Sequence, residues 1–295
     1  MIKTATILKR LRSAAREAAL LMAAILMTAA AIPAYGESEC DSIADLPRPV
    51  TGVYNVELGG SFVTATYLSP LRYKGSDFAI TGSWTKAFSH APQAMTMRFD
   101  AIVDFQNTHN PARNASIYGL QAGFGWGLGW RTRISPRWQA GAGGFAEIFG
   151  GALYSTRNGN NPVQAIARAG IGLSGFASYT FRIGRLPMVV SDEIRMPLMS
   201  GFFCQEYGES YYEIYLGNDS RLAHFGHPGN AFALNNLLSL KLDFGRTAMQ
   251  IGYRFDVSTF RANRLKTQTL RNAFVIGVIP GGLGLKQKKQ ENRFY

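Results

Sequence analysis

Cysteine, histidine and charge are all scarce in this chain. Two cysteines, Cys40 and Cys204, and four histidines, His90, His109, His224 and His227, form no C-x-x-C or comparable ligand spacing. No structural zinc, other metal site or cofactor is therefore expected. Charged residues make up only 17% of the chain. Past residue 32 no apolar run approaches the ~18 residues that mark a membrane helix, which excludes a helical membrane protein. The glycine runs at 141–144 and 281–284 open no helical pattern, so they are not phosphate loops.

What is present is apolar and aromatic. Hydrophobic residues reach 46%, with 32 Gly, 19 Phe, 13 Tyr and 4 Trp. That mixture excludes disorder, collagen and coiled coil. The formal charge of +12 would suit a nucleic-acid partner, but part of it sits in a leader. Lys3, Lys9, Arg10, Arg12 and Arg16 precede an apolar run from Ala18 to Ile32, then Pro33 and Ala34-Tyr35-Gly36. This is the layout of a secretory signal peptide, expected over residues 1–36 and cleaved after Gly36. Removing it leaves 26 basic and 18 acidic residues, a net +8 with the basic residues scattered. Nucleic acid is then not an expected partner. An exported chain permits a disulfide between Cys40 and Cys204, although sequence does not establish that they meet. Glu37-Ser38-Glu39 lacks the small apolar lead-in that lipidation of Cys40 would need.

Period-two alternation recurs along the mature chain. Met95, Met97, Phe99, Ala101, Val103 and Phe105 alternate with Thr96, Arg98, Asp100, Ile102, Asp104 and Gln106. Tyr118, Leu120, Ala122, Phe124, Trp126, Leu128 and Trp130 alternate with Gly and Gln. Met249, Ile251, Tyr253, Phe255 and Val257 do the same, as do the leucines from Leu234 to Leu242, with Asn236 and Leu237 as exceptions. A soluble sandwich also alternates. These runs, however, exceed the ~5–6 residues of ordinary strands and match the ~9–11 of a tilted membrane strand. Ten strands are predicted, at 51–66, 78–89, 93–106, 115–134, 137–153, 164–183, 187–201, 232–244, 247–259 and 268–279. Connections after the even strands read as short and those after the odd strands as long, the alternation of an outer-membrane barrel with both termini in the periplasm.

The expected fold is thus all-β, an antiparallel up-and-down transmembrane barrel of about ten strands. It follows a periplasmic segment at 37–50, spans 51–280 and precedes a basic tail at 281–295. Arg98, Asp100, Asp104, Arg168, Arg182, Lys241, Asp243, Arg254, Asp256 and Arg271 are expected to line the lumen, where opposite charges on neighbouring strands pair. Trp84, Tyr118, Phe124, Trp126, Trp130, Tyr253 and Phe255 are expected to face lipid. The glycine face of the fourth strand is read as space for large neighbouring side chains. Pro197, inside the seventh strand, predicts a bulge or an early exit from the sheet.

Ser191-Asp192-Glu193-Ile194-Arg195-Met196-Pro197-Leu198, Glu206-Tyr207-Gly208-Glu209-Ser210-Tyr211-Tyr212-Glu213-Ile214 and Ile251-Gly252-Tyr253 resemble an uncharacterised outer-membrane β-barrel family of the Bacteroidota. The likeness covers about the last hundred residues and implies the fold and the membrane, with no activity to carry over. It also implies a Gram-negative outer membrane, with membrane lipid, lipopolysaccharide and the barrel-assembly machinery as partners. Such barrels usually end on an aromatic residue of the last strand, whereas Lys286-Gln287-Lys288-Lys289 follows it here.

The only dense polar constellation lies in the longest loop: Glu209, Ser210, Tyr211, Tyr212, Glu213, Ser220, Arg221, His224, His227 and Asn230. A Ser–His pair held by a third group would make an acyl hydrolase. The outer-membrane phospholipase and lipid A deacylase families resemble this in carrying a His near a strand end, with a Ser two residues on. Here those positions are Gly226 and Gly229. The expectation is therefore a structural or binding protein, or a narrow channel, with a charged and largely filled lumen. The alternative is a lipid-acyl hydrolase drawing on His224, His227, Ser220 and Asn230.

Overall fold

Residues whose side chains alternate between apolar and polar surroundings settle as strands, because each strand then satisfies two solvents at once. In the computed structural model, residues 51–88, 94–217 and 221–285 are described. The expected signal peptide, the 37–50 segment, Cys40, His90, Ser220 and the tail from Lys286 lie outside them. The strands are β1 (Thr51–Ala65), β2 (Arg72–Ala87), β3 (Met95–His109), β4 (Ser116–Arg133), β5 (Trp138–Ser155), β6 (Val163–Ile183), β7 (Leu186–Phe203), β8 (Ala223–Gly226), β9 (Ala231–Asp243), β10 (Thr247–Ala262) and β11 (Leu265–Pro280), with one short helix, α1 (Tyr211–Tyr215), between β7 and β8. Among the described residues no helix is long and apolar enough to cross a membrane.

Every strand but β8 pairs antiparallel with two neighbours around a ring that runs β1 to β7, then β9, β10 and β11, and closes on β1. The fold is a closed ten-strand antiparallel barrel. β8 pairs only with Ser200–Phe203 of β7, along the edge where β9 pairs with Met188–Arg195. β8 and β9 therefore act as two pieces of one strand, separated by the turn at His227–Asn230.

Pro197 falls in the gap between those pieces, so the ladder asks no amide of it. On the other edge, Gly172 pairs with Pro197 and Ile171 with Met199, which leaves Leu198 as a bulged extra residue. The bulge reverses the facing of β7. Before it the odd residues Val189 and Ser191 are buried inside the barrel, and after it the even residues Ser200 and Phe202 are.

Two boundaries differ from the sequence expectation. β2 starts at Arg72, six residues early, and so takes in Tyr73 and Asp77. β10 and β11 are longer and meet in the two-residue turn Asn263-Arg264, at φ 48° and 61°. Two consecutive positive φ values define a type I′ hairpin, whose right-handed twist suits long strands. The expected long loop after the ninth ring strand is absent, and the short–long alternation breaks there. Elsewhere it stands: Gly184-Arg185 and residues 244–246 close one end, called here the turn end, where β1 begins and β11 finishes. Residues 66–71, 110–115, 156–162 and 204–217 lie at the loop end.

The outward face is apolar over its middle. Leu120, Phe124, Ile148, Ile171, Tyr253, Phe274 and Ile276 are all exposed, a continuous surface far beyond what a soluble monomer shows. Near the turn end, Tyr54 and Trp84 meet edge to face at 5.8 Å, with Trp84 Nε1 donating to the Tyr54 hydroxyl at 3.0 Å. Trp138 lies 5.0 Å from Tyr179 in the same zone. Near the loop end Tyr118 and Tyr154 stand opposite each other in register. Tyr118 and Trp130 share the outward face of β4 twelve residues apart. At ~3.3 Å per residue and a ~40° tilt, about 30 Å separates them along the axis, close to the ~25 Å apolar band of outer-membrane barrels.

Candidate functional site: the barrel interior

The inside is layered. At the loop end the inward positions are apolar: Val63, Tyr73, Ile117, Leu153, Phe202 and Leu265 pack with Tyr67 and Leu68 of the first loop and Cys204 of the longest. Val63, Ile117 and Leu153 have no exposed surface at all. This plug was not legible as such, because an apolar residue on the inward face looks like an error in the alternation rather than a seal.

Below the plug lies the charged belt. Arg271 on β11 is its hub: its guanidinium reaches Glu57 Oε2 at 2.7 Å, Asp256 Oδ2 at 3.1 Å and Asp104 Oδ1 at 3.8 Å, and also binds Asp77. Arg254 Nε takes the other Glu57 oxygen at 2.9 Å. A hydrogen-bonded chain runs into the same carboxylate from the side. Gln250 donates to Asn55 at 3.1 Å, Asn55 to Thr81 at 3.1 Å, and Thr81 to Glu57 at 2.9 Å. A second group spans β3, β7 and β9. Arg98 binds Asp100 at 2.8 Å and Glu193 at 2.6 Å, Arg195 binds Asp100 at 2.7 Å, and Lys241 stands 3.8 Å from Glu193. Arg168 pairs with Glu147 at 2.8 Å and lies over the rings of Phe149 and Phe260.

The glycine face of β4 makes room for this packing. A Cβ at Gly123 would overlap the Phe149 ring, one at Gly119 would come within 3.0 Å of Leu153, and one at Gly125 within 3.1 Å of Arg195. The open space between these side chains includes a cavity of about 110 Å³ beside Asn55, Asp100 and Arg254, and one of about 190 Å³ that reaches toward the turn end between Arg98, Lys241, Phe145 and Leu283.

At the turn end the chain after β11 folds back across the opening. Leu283 is buried with Val53, Val189, Ala248 and Ile279. Two of the expected lumen charges bind this strap. Asp243, fully buried, accepts the amides of Gly245 at 2.8 Å and Leu285 at 3.0 Å, and Arg182, exposed at the mouth, donates to the Leu285 carbonyl at 3.5 Å. Asp243 has no cation within ion-pair distance among the described residues.

Of the outward aromatics, Tyr118, Phe124, Trp126, Trp130 and Tyr253 are exposed, while Trp84 and Phe255 are half-buried by their neighbours. The belt also contains Glu57, Asp77 and Arg195, which sequence reasoning left out, together with Glu147 and Glu193, for which the sequence favours a solvated or salt-bridged lumen role over a catalytic carboxylate pair. Glu57 had a signal, since Asn55, Glu57 and Ser61 alternate with Tyr54, Val56 and Leu58.

The long loop is ordered by its own hydrogen bonds. Ser210 caps α1 in a reciprocal capping box with Glu213, which holds the Glu213 carboxyl below the usual carboxylate range. Tyr67 donates to the Glu209 carbonyl at 2.6 Å, and Tyr211 accepts the Ala165 amide at 2.6 Å. His224 Nε2 lies 3.2 Å from the Cys204 carbonyl and 3.3 Å from Asn263 Nδ2. His227 Nδ1 accepts the Gly229 amide at 3.1 Å, and Asn230 ties the same turn through His227 N and the Phe225 carbonyl. Neither His has a serine partner among the described residues. His109 does, with Nδ1 2.8 Å from Ser116 Oγ, but this exposed pair simply faces across the β3–β4 hairpin. Cys204 is a buried free thiol, its pKa pushed up to about 11 by burial. No cluster of His, Cys, Asp or Glu suited to a metal occurs among the described residues.

A family model described as "Protein of unknown function (DUF3316)" matches residues 18–289. No curated protein matches the sequence. Among solved structures, the transport unit of the autotransporter AIDA-I from Escherichia coli is similar at TM-score 0.45 and 8% identity, over 85% of this chain and 94% of that one. The outer membrane protease OmpT from Escherichia coli gives 0.37 and 9%, over 83% and 99%. The translocator domain of the autotransporter NalP from Neisseria meningitidis gives 0.37 and 8%, over 91% and 97%.

Proposed function

This chain belongs to the DUF3316 family, and we propose that it is a non-conducting outer-membrane barrel of a Gram-negative bacterium, exported by a signal peptide, with a structural or binding role. The observation that carries this reading is the apolar plug: Val63, Ile117 and Leu153, without exposed surface, stand where a porin would have a wet entrance. The turn end, with both ends of the barrel chain, lies in the periplasm, and the loop end faces outward, as membrane insertion by short turns favours. The origin in the Bacteroidota rests on the sequence resemblance.

The test is electrical. Purified protein should shift in gel mobility between unheated and heated samples, as a closed barrel does, and should give no discrete conductance steps in a planar bilayer. A stable open conductance would overturn the closed-lumen reading, and absence of the mobility shift would overturn the barrel in the membrane.

A further inference from the structure

Near the loop end, on the outward face, four cations crowd neighbouring strands: Arg72 and Lys74 on β2, Arg261 on β10 and Lys266 on β11. Arg261 and Lys266 are direct register partners. Like charges placed opposite each other across a ladder are destabilising, so the pairing asks for a compensating anion. The described residues do not supply one. Among the described residues, none of the four has a carboxylate within ion-pair distance, and the Lys266 ammonium donates to Gln268 Oε1 at 2.7 Å. Thr64 of β1 pairs with Arg72 on one side and with Gln268, two residues from Lys266, on the other, which joins the two halves of the patch across β1.

The patch is held in place. Phe62, on the intervening strand β1, lies under the Arg72 guanidinium at 4.1 Å and within 5.4 Å of the Lys74 ammonium. Its height is also telling. Lys74 and Trp84 share the outward face of β2 ten residues apart, so at ~3.3 Å per residue and a ~40° tilt about 25 Å of barrel separates them, one apolar band. With Trp84 at the inner interface, the cations stand at the outer one, above the exposed Phe78, Phe274 and Ile276, whose surface faces acyl chains.

We propose that Arg72, Lys74, Arg261 and Lys266 form a binding site for the phosphorylated head of an outer-leaflet lipid, a bis-phosphorylated acylated glycolipid whose chains lie down the apolar face of β10, β11, β1 and β2. Guanidinium groups suit phosphate oxygens through paired N–H donors, and lysines add point charge. Four cations on three strands, β2, β10 and β11, spread to both sides of β1, match two phosphates better than one. The inference rests on the barrel reading, and deepens it by naming the lipid and the strands it meets.

The test uses the folded full chain in a neutral maltoside detergent, with lipid A as probe and native mass spectrometry as readout. Folding of every variant is checked by heat-dependent gel mobility, so that a lost barrel is distinguished from a lost site. The double variants Arg261→Gln/Lys266→Gln and Arg72→Gln/Lys74→Gln should each weaken lipid A binding at least tenfold, whereas Arg246→Gln at the turn end should leave it unchanged. Monophosphorylated lipid A should bind several-fold more weakly than the bis-phosphorylated form. Equal binding by the double variants and the parent, or displacement by inorganic phosphate at matched concentration, would overturn the proposal.

Discussion

Asn263, the first residue of the β10–β11 turn, donates its side-chain amide to the carbonyl of Cys204, 3.2 Å away and 59 residues earlier in the chain. The same amide reaches the Arg221 carbonyl at 3.1 Å. A tight hairpin thus pins both ends of the α1 segment of the longest loop. Asn263→Gly keeps the positive φ and removes the anchor, at about 1 kcal/mol per hydrogen bond lost. Hydrogen exchange in residues 204–217 and 221–226 should speed up roughly thirtyfold while exchange in β10 and β11 stays unchanged.

Removing the hub of the belt should cost far more than any outward substitution. Arg271→Met leaves Asp77 without its counter-charge and Glu57 with Arg254 alone, both carboxylates being fully buried. Breaking one side of a buried ion network typically costs about 3–5 kcal/mol. Denaturant unfolding in detergent, read by gel mobility, should show a loss of that size, and adding Glu57→Gln and Asp77→Asn should recover part of it.

Gly123 and Phe149 form a steric pair across β4 and β5. Gly123→Val should destabilise by about 1–3 kcal/mol through overpacking. Combined with Phe149→Ala, the cost should be smaller than the sum of the two single changes, as a double-mutant cycle would record.

The capping box makes α1 sensitive to acid. The Glu213 pKa is lowered by hydrogen bonds from Ser210 N and Oγ. Its contribution is present above the ordinary carboxylate range and is lost as pH falls through the depressed folded value. Proteolytic nicking near Tyr211–Tyr215 should increase at low pH in the parent, and Glu213→Gln should flatten that dependence.

Cys204 should resist thiol reagents. Its thiol is buried, and with a pKa of about 11 little thiolate exists at neutral pH. In a Cys40→Ala background a maleimide should label the folded barrel slowly and the heated protein within minutes.

How much of this was legible follows from where the alternation stayed clean. β4 was placed to within one residue because large apolar residues alternate with Gly and Gln there, and β5 and β6 to within two because the short turns at Ser135-Pro136 and Gly184-Arg185 bound them. β2 lost its first six residues because Arg72, Lys74 and Asp77 read as loop, although Arg72 and Lys74 face outward and Asp77 inward. That slip hid one of the four carboxylates around Arg271 and half of the outward basic patch. The Asn263-Arg264 turn was hidden for a related reason: a type I′ hairpin is usually announced by Gly in the second position, and arginine carries no such signal. The facing of β7 could not be read through Leu198, since a bulge shifts every later residue by one and only the fold shows on which side it falls.

The strap beyond β11 has a consequence for assembly. Leu283 packs against residues of β1, β7, β10 and β11, and Leu285 is tied to Asp243 on β9 and Arg182 on β6. No partly zipped sheet presents all those groups to it together. Docking of the strap therefore acts as a latch that engages only once the first and last strands have met, and it rewards a finished ring over an open one.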